Sequence, residues 1–335
     1  MATTTTPAKV RGFAVSSAGA NRWLVFFCFF SIYIIWGSTY LAIRYAVETI
    51  PPLYTAGMRH LVAGSILLAW CVAKKLRPTR DQLRASVVIG FLFFLVGHGS
   101  LHWAEQVVPS GRAALLIAIE PILVFLLASA ASRTWRWNGL LAAGILLGLA
   151  GVGVLVQGTM SAPPVAGIGA GFGSGLGTLA VLVGALSWSL GIIYSRKSHL
   201  SGSPLLLSAL SLLSGAVMLL VAGTVFGEYR GFSLYQVTTR SWLALGYLIV
   251  FGSVITFTAY NWLLEHYSPT LVATHTYVNP IVAVLLGWAY AGESVTLQVA
   301  LAAAMVVLAV VLVDRGTSQL QKTDKKQETE VPELV

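Results

Sequence analysis

The chain has 335 residues, of which 56% are hydrophobic and 10% charged. Soluble domains carry roughly 25% charged residues to build their polar shell, so this composition excludes an ordinary soluble fold and points to a bilayer as outer solvent. The net charge of +9 does not indicate nucleic acid, because the Lys and Arg residues sit between apolar runs and form no basic stripe interleaved with aromatics. Cys28 and Cys71 both lie inside apolar runs, which excludes a disulfide framework and a cysteine metal motif.

Residues 1–22 are polar and rich in Thr, Ser and Ala, and read as an N-terminal tail. The run from Trp23 to Ile43 is too long for a signal-peptide core and is followed by no small-residue cleavage site, so it reads as an uncleaved first span. A spanning helix needs about 20 apolar residues because its backbone must satisfy its own hydrogen bonds in hydrocarbon. Ten segments meet this: 23–43, 53–73, 85–104, 109–130, 138–157, 177–195, 204–226, 241–262, 269–290 and 296–313. Pro51-Pro52, Pro109, Pro204 and Pro269 mark starts, where a missing N–H costs nothing. Glu105 and Glu265 mark turns within the two longest apolar stretches. The uncharged connection 158–176, with glycines at 167, 169, 171, 173 and 175, is expected to be a flexible external linker; strict alternation does not fit a dinucleotide-binding fingerprint. The polar segment 316–335 is expected to be disordered.

Sixteen of the 21 Lys and Arg residues fall on the side of the N-terminus, whereas Arg44, Arg230 and Arg240 fall on the other and Arg59 and Arg112 lie within spans. The bias predicts both termini to be cytoplasmic and an even number of spans. The fold expected is all-α integral membrane, ten transmembrane helices as two inverted five-helix repeats, 23–157 and 177–315. The halves carry matching signals in order: Trp36-Gly37-Ser38 with Trp188-Ser189, Ala104-Glu105 through Pro109 with Leu264-Glu265 through Pro269, and Glu120-Pro121-Ile122 with Asn279-Pro280-Ile281. Five spans per half place the second half upside down relative to the first, an arrangement known from transporters with a midplane site.

Further matches specify a family. Ile34-Ile35-Trp36-Gly37-Ser38-Thr39-Tyr40, Pro51-Pro52, Gly57-Met58-Arg59, Val108-Pro109-Ser110-Gly111, Tyr277 through Gly287 and the Ala291-Gly292-Glu293 turn occur in sequence order. In that order the chain resembles the EamA-type drug/metabolite transporters of bacteria over about residues 23–315. The resemblance implies ten helices, two inverted repeats, a central cavity and export of metabolites or amphipathic compounds. The first half departs from the pattern by having Arg133-Thr134 where the second has its Gly-Glu turn.

Ionisable groups at membrane depth are the leading site candidates. Glu120 lies midway along the fourth span, where a charge costs roughly 3 kcal/mol, which makes it a candidate for proton binding and release or for a structural pair with Arg59. Arg59, two turns into the second span, is placed to pair with Glu120, to bind an anionic substrate group, or to snorkel to the headgroups. His98 and His102 share a face of the third span; a polar stripe is the reading, since no HExxH frame accompanies them. His275 and Asn279 share a face of the ninth span. Trp36, Trp188, Tyr260 and Tyr277 are mid-span aromatics suited to a small-ligand pocket, with the interfacial aromatic belt as the bland alternative. Pro121 and Pro280 are expected to kink their helices beside this cavity. Gly144 and Gly148 are a packing pair.

The function expected is a secondary transporter of the bacterial inner membrane, exporting amino acids or amphipathic compounds by alternating access. Its partners would be a small-molecule substrate, membrane lipid and a coupling proton, with no cofactor, metal or nucleic acid, in a monomer or homodimer. A sugar-nucleotide or organophosphate antiporter would want paired basic residues in the cavity, where only Arg59 is well placed. An integral membrane enzyme would need a nucleophile–base pair or a metal cluster at membrane depth.

Overall fold

The structure, a computed structural model, describes residues 21–160, 173–197, 202–267 and 269–330. The expected tail up to residue 20 and most of the glycine-rich linker lie outside the described residues. Among the described residues ten helices are long and apolar enough to cross a membrane: α1 (Arg22–Ala46), α2 (Pro52–Ala73), α3 (Arg80–Ala104), α4 (Ser110–Ser132), α5 (Gly139–Gln157), α6 (Ser174–Ser195), α7 (Pro204–Val225), α8 (Thr239–Leu264), α9 (Leu271–Ala291) and α10 (Leu297–Leu320). The chain is therefore a multi-pass, all-helical membrane protein.

Local chemistry sets the helix ends. Asn21 accepts the Trp23 N–H at 3.0 Å and starts α1. Thr79 and Gln82 form a reciprocal capping box at α3, and the Ser203 and Thr238 hydroxyls cap α7 and α8. α9 ends on Gly292 in the left-handed region (φ 64°). At the equivalent end of α4, Arg133 occupies the same region at φ 55°, so the first half closes that turn with a residue that pays a steric cost glycine avoids.

Two expectations are corrected. The helix that begins α10 continues to Glu330, where a disordered tail was expected from residue 316. Leu, Gln, Lys and Glu after Arg315 are strong helix formers, and no proline intervenes before Pro332. The span expected at 296–313 runs on to Leu320 as α10, so Asp314 lies within it.

The two halves interlock. α2 packs along α7 and α5 along α10, while α3 packs on α6 and α8 on α1, α4 on α6 and α9 on α1, and α4 on α9. Among these, α2–α7, α5–α10 and α4–α9 join corresponding helices of the two halves, and α3–α6 and α4–α6 have the counterparts α8–α1 and α9–α1. Small residues allow the closest approaches. A Cβ on Gly144 would sit 2.8 Å from Val313 Cγ2 and 2.9 Å from the Ala309 carbonyl of α10, so the expected packing role of that position holds. Gly37 likewise lets α1 lie against Val282 of α9.

Three helices contain π-type turns: Ser31–Ile35 in α1, Gly90–His98 in α3 and Val250–Ile255 in α8. Such turns leave carbonyls pointing off the helix ladder, where side chains from neighbours can bond them. α3 and α8 are the third helices of their halves, so both repeats place a π segment at the same point.

Candidate functional site

A cavity of about 150 Å³ lies between the halves, with walls from α1, α2, α3, α4, α6, α8 and α9. That volume is about that of a void known to hold one benzene molecule. Trp36, Arg59, His98, Glu120, Trp188, His275 and Asn279 all line it, as do Pro121 and Pro280. Residues from Trp36 to Pro280, 280 − 36 = 244 positions apart in the chain, thus share one cavity.

Arg59 is 3% exposed and is held by the π turn of α8. Its Nε donates to Ser253 Oγ at 2.9 Å and its Nη2 to the Gly252 carbonyl at 3.4 Å. The same carbonyl accepts the Trp36 indole N–H at 3.1 Å. The expected alternative of an Arg59–Glu120 ion pair is not formed among the described residues: Arg59 is bonded to α8 instead. Glu120 accepts no hydrogen bond from a described residue, and its carboxyl meets the cavity. Glu120 thus lines the same cavity as Arg59 without forming an ion pair with it among the described residues.

The two tryptophans hold equivalent places. Trp36 of α1 packs its ring on Phe257 of α8 (5.6 Å) and His275 of α9 (5.1 Å). Trp188 of α6 stacks on Phe93 (4.2 Å) and His98 (5.1 Å) of α3. Tyr260 supports Trp36 from behind at 5.2 Å and does not line the cavity. Tyr277 is a correction: it turns to α10, its hydroxyl against Asp314, because a residue two positions from His275 faces a different side of the helix. The Asn279 amide nitrogen donates to the carbonyls of Ile32 and Tyr33 (3.0 Å each) in the π turn of α1, so it ties α9 to α1 as well as lining the cavity.

The two proline positions differ. α4 is interrupted at Ala118–Ile119 and restarts at Glu120 with Pro121 in its first turn, where the missing N–H costs nothing. Pro280 lies inside the continuous segment His275–Ala291, and α9 breaks earlier, at Thr274. Equivalent prolines thus sit beside helix breaks at different offsets.

Sequence reasoning missed Thr39, Tyr40, Phe257 and Thr276 in the lining, and His60 behind it. His60 is fully buried and its Nε2 lies 2.8 Å from His98 Nδ1. The interval from His60 to His98 carries no periodic signal, so only packing of α2 on α3 discloses this pair. The His102 Nδ1–H donates to the His98 carbonyl at 2.7 Å. Among the described residues no group of three His, Cys, Asp or Glu side chains is placed to hold a metal.

Above the cavity, at the end where α1 leads into α2, charges lock the halves together. The Glu293 carboxylate accepts Ser110 N (2.7 Å), Ser110 Oγ (2.8 Å) and Gly111 N (3.1 Å) at the N-terminus of α4, and pairs with Arg44 at 3.5 Å. An anion at orphaned helix N–H groups is favoured by both hydrogen bonding and the helix dipole. Glu105, in the α3–α4 connection, is 1% exposed. Neither of its oxygens makes a hydrogen bond of normal geometry, although the Arg44 backbone faces it. Burial holds the Glu105 carboxyl well above the usual carboxylate range, and the nearby Glu293 charge adds to this, against the pull of Arg44 and Arg59.

Comparison with known proteins bears on this geometry. The sequence model of the EamA-like transporter family matches residues 22–157 and 175–314, once per half. An Escherichia coli (strain K12) protein described as uncharacterized inner membrane transporter YedA is 38% identical over 299 residues, 87% of this chain and 91% of its own. The Bacillus subtilis (strain 168) protein described as uncharacterized transporter YoaV is 26% identical over 284 residues, 82% of this chain and 91% of its own. A solved crystal structure at 19% identity and TM-score 0.60 covers 90% of this chain and 99% of its own, a likeness of fold.

Proposed function

This chain belongs to the EamA-like transporter family, and on that premise we propose that it is a secondary transporter of the bacterial inner membrane that exports small zwitterionic metabolites, amino acids foremost. Both termini are cytoplasmic in this reading, the two five-helix repeats are inverted, and the halves rock about the central cavity. The Lys and Arg bias supports the orientation, an odd number of spans per half supports the inversion, and the relative's description supports the membrane.

The observation that carries the substrate class is the pairing within the cavity. Arg59 and Glu120 share it without an ion pair between them, and aromatic rings from both halves wall the space between. A cation and an acid held apart are complementary to a carboxylate and an ammonium on one small molecule. A free amino acid satisfies both, and each charge is then desolvated only against its partner. A sugar nucleotide asks for several cations, and among the described residues Arg59 is the one Lys or Arg in the lining. Proton coupling belongs to Glu120 in this reading: the carboxyl exchanges a proton for the substrate ammonium as access alternates.

The test is transport in proteoliposomes under an imposed pH gradient, wild type beside Glu120→Gln, against a panel of L-amino acids and cationic dyes. Wild type is expected to accumulate an amino acid above equilibrium and the variant only to equilibrate it. Equal accumulation by both removes Glu120 from the coupling. Movement of no compound under any gradient, with folded and oriented protein, removes the transport reading.

A further inference from the structure

We propose that His60, which does not line the cavity, fixes the tautomer and orientation of His98, so that His98 presents an N–H donor beside Arg59 and the pair selects substrates carrying a carboxylate. This rests on the reading of the cavity as the substrate site.

With both rings neutral, the 2.8 Å contact between His98 Nδ1 and His60 Nε2 has one donor and one acceptor. If His98 donates, the His60 proton must sit on its Nδ1. That atom is enclosed and has no partner, and an orphaned buried N–H is rarer and costlier than an orphaned lone pair. His60 therefore donates from Nε2, its Nδ1 is a bare lone pair, and the His98 proton lies on its own Nε2. His98 Nε2 makes no hydrogen bond to a described residue and is not enclosed, so it is the nitrogen that meets the cavity.

His102 shows the same preference independently. Its Nδ1 faces a carbonyl, which only accepts, so its proton is on Nδ1 and the enclosed, unpartnered Nε2 is a lone pair. At both buried histidines the orphan is then an acceptor. The rings have little room to rearrange: His60 packs on Phe94 at 4.6 Å, and His98 lies nearly parallel (15°) to Trp188.

His275, also in the lining, has the opposite arrangement. Its Nδ1–H donates to the Val272 carbonyl at 2.9 Å, which leaves Nε2 as an acceptor. The α2–α3 wall thus offers donors from Arg59 and His98, and the α4–α9 wall offers Glu120 and the His275 lone pair. The donor wall fits a carboxylate, and an amine that lacks one leaves it unpaired. Sites built to hydrogen-bond a group discriminate most strongly against analogues without it.

The experiment has two arms. In the first, ring-¹⁵N histidine spectra of the intact protein in nanodiscs read the His98 tautomer. Wild type is expected to show a single Nε2–H form with a hydrogen-bonded Nδ1, and His60→Met to move the Nδ1 signal to that of a nitrogen without a bond. A wild-type proton on Nδ1, or a spectrum unaltered in the variant, overturns the proposal. In the second arm, proteoliposome transport is measured for L-amino acids, each beside the amine lacking its carboxylate. His60→Met is expected to raise the amino-acid KM about tenfold, the equivalent of one hydrogen bond to a charged group, with kcat and the amine KM unchanged. His60→Gln, whose amide N–H reaches the same nitrogen, is expected to restore the discrimination.

Unchanged discrimination in a folded His60→Met protein overturns the selectivity role. Should His60→Met fail to fold, loss of discrimination in a folded His60→Gln protein does the same. If wild type moves no amino acid while its spectrum shows the Nε2–H form, the substrate reading has failed and selectivity falls with it, the tautomer assignment standing alone.

Discussion

At the end of the bundle where α1 leads into α2, Glu293 holds the N-terminus of α4 and Arg44, Glu228 accepts the Leu53 and Tyr54 N–H groups at the N-terminus of α2 (3.1 Å each), and Arg240 pairs with Glu48. The Tyr45 hydroxyl adds a bond to the Tyr290 carbonyl at 2.6 Å. At the opposite end the bonds between halves are neutral: Gln82 Nε2 to Ser203 O (3.2 Å), Asn138 Nδ2 to Gly316 O (2.8 Å) and the Tyr33–Thr274 hydroxyl pair (2.6 Å). The same helices thus carry a charged clamp at one end and scattered neutral contacts at the other. At the clamped end acids from one half satisfy orphaned N–H groups of the other, an interaction about twice as strong as a neutral hydrogen bond. On the proposed mechanism, this clamp is what must be undone for the other conformation to form.

The largest expected effect comes from breaking the clamp at its centre. Glu293→Ala leaves two α4 N–H groups and Arg44 without their anion, and should cost about 3 kcal/mol, read as a lowered unfolding midpoint in detergent. A cysteine placed near Ser110 should also become more accessible to a thiol reagent; an unchanged midpoint and accessibility would remove the clamp from the account.

Glu105→Gln sharpens the same region through pH. The native carboxyl titrates above its ordinary value of 4.5, so the folded state holds a proton that the unfolded state has lost. Stability is then greatest below the ordinary carboxyl range and falls as pH rises toward the raised value. Glu105→Gln, which is neutral throughout, should flatten this slope, matching wild type in acid and exceeding it at neutral pH. Thermal unfolding across that pH range checks it; a variant that parallels wild type would contradict the assignment.

At the neutral end the effect should be smaller. Gln82→Ala removes half of the α3 capping box and the bond to Ser203, for about 1 kcal/mol, without altering accessibility at the clamp. Smallest is Arg240→Ala. Its side chain is 60% exposed, and exposed pairs contribute less than about 1 kcal/mol, so the unfolding midpoint should shift little. A large loss there would show that the clamp is spread over its rim as well as its centre.

What could be read in the residues follows from the range of the physics involved. Ten spans, their starts at prolines and polar caps, and the family likeness are consequences of local composition. A segment's apolarity decides that it crosses lipid whatever surrounds it. Charged and aromatic residues at mid-span stand out in the sequence because their burial in lipid is costly; Trp36, Arg59, His98, Glu120, Trp188, His275 and Asn279 line one cavity, whereas Tyr260 and Tyr277 do not.

Only the tertiary structure decided which partners those residues take. Arg59 bonds a π turn in α8 and leaves Glu120 unpaired, Tyr277 faces Asp314, and His60 meets His98 from another helix. The α4 break at Ala118–Ile119 and the π turns depend on what neighbouring helices offer to a freed carbonyl, and that is settled between elements far apart in the chain. Ten apolar helices and the residues unusual at membrane depth are legible in the chain alone, since each is a cost met locally. How those residues are wired, as donors, acceptors or clamps, was decided by contacts across the two halves, where a shift of a few ångströms changes every partner.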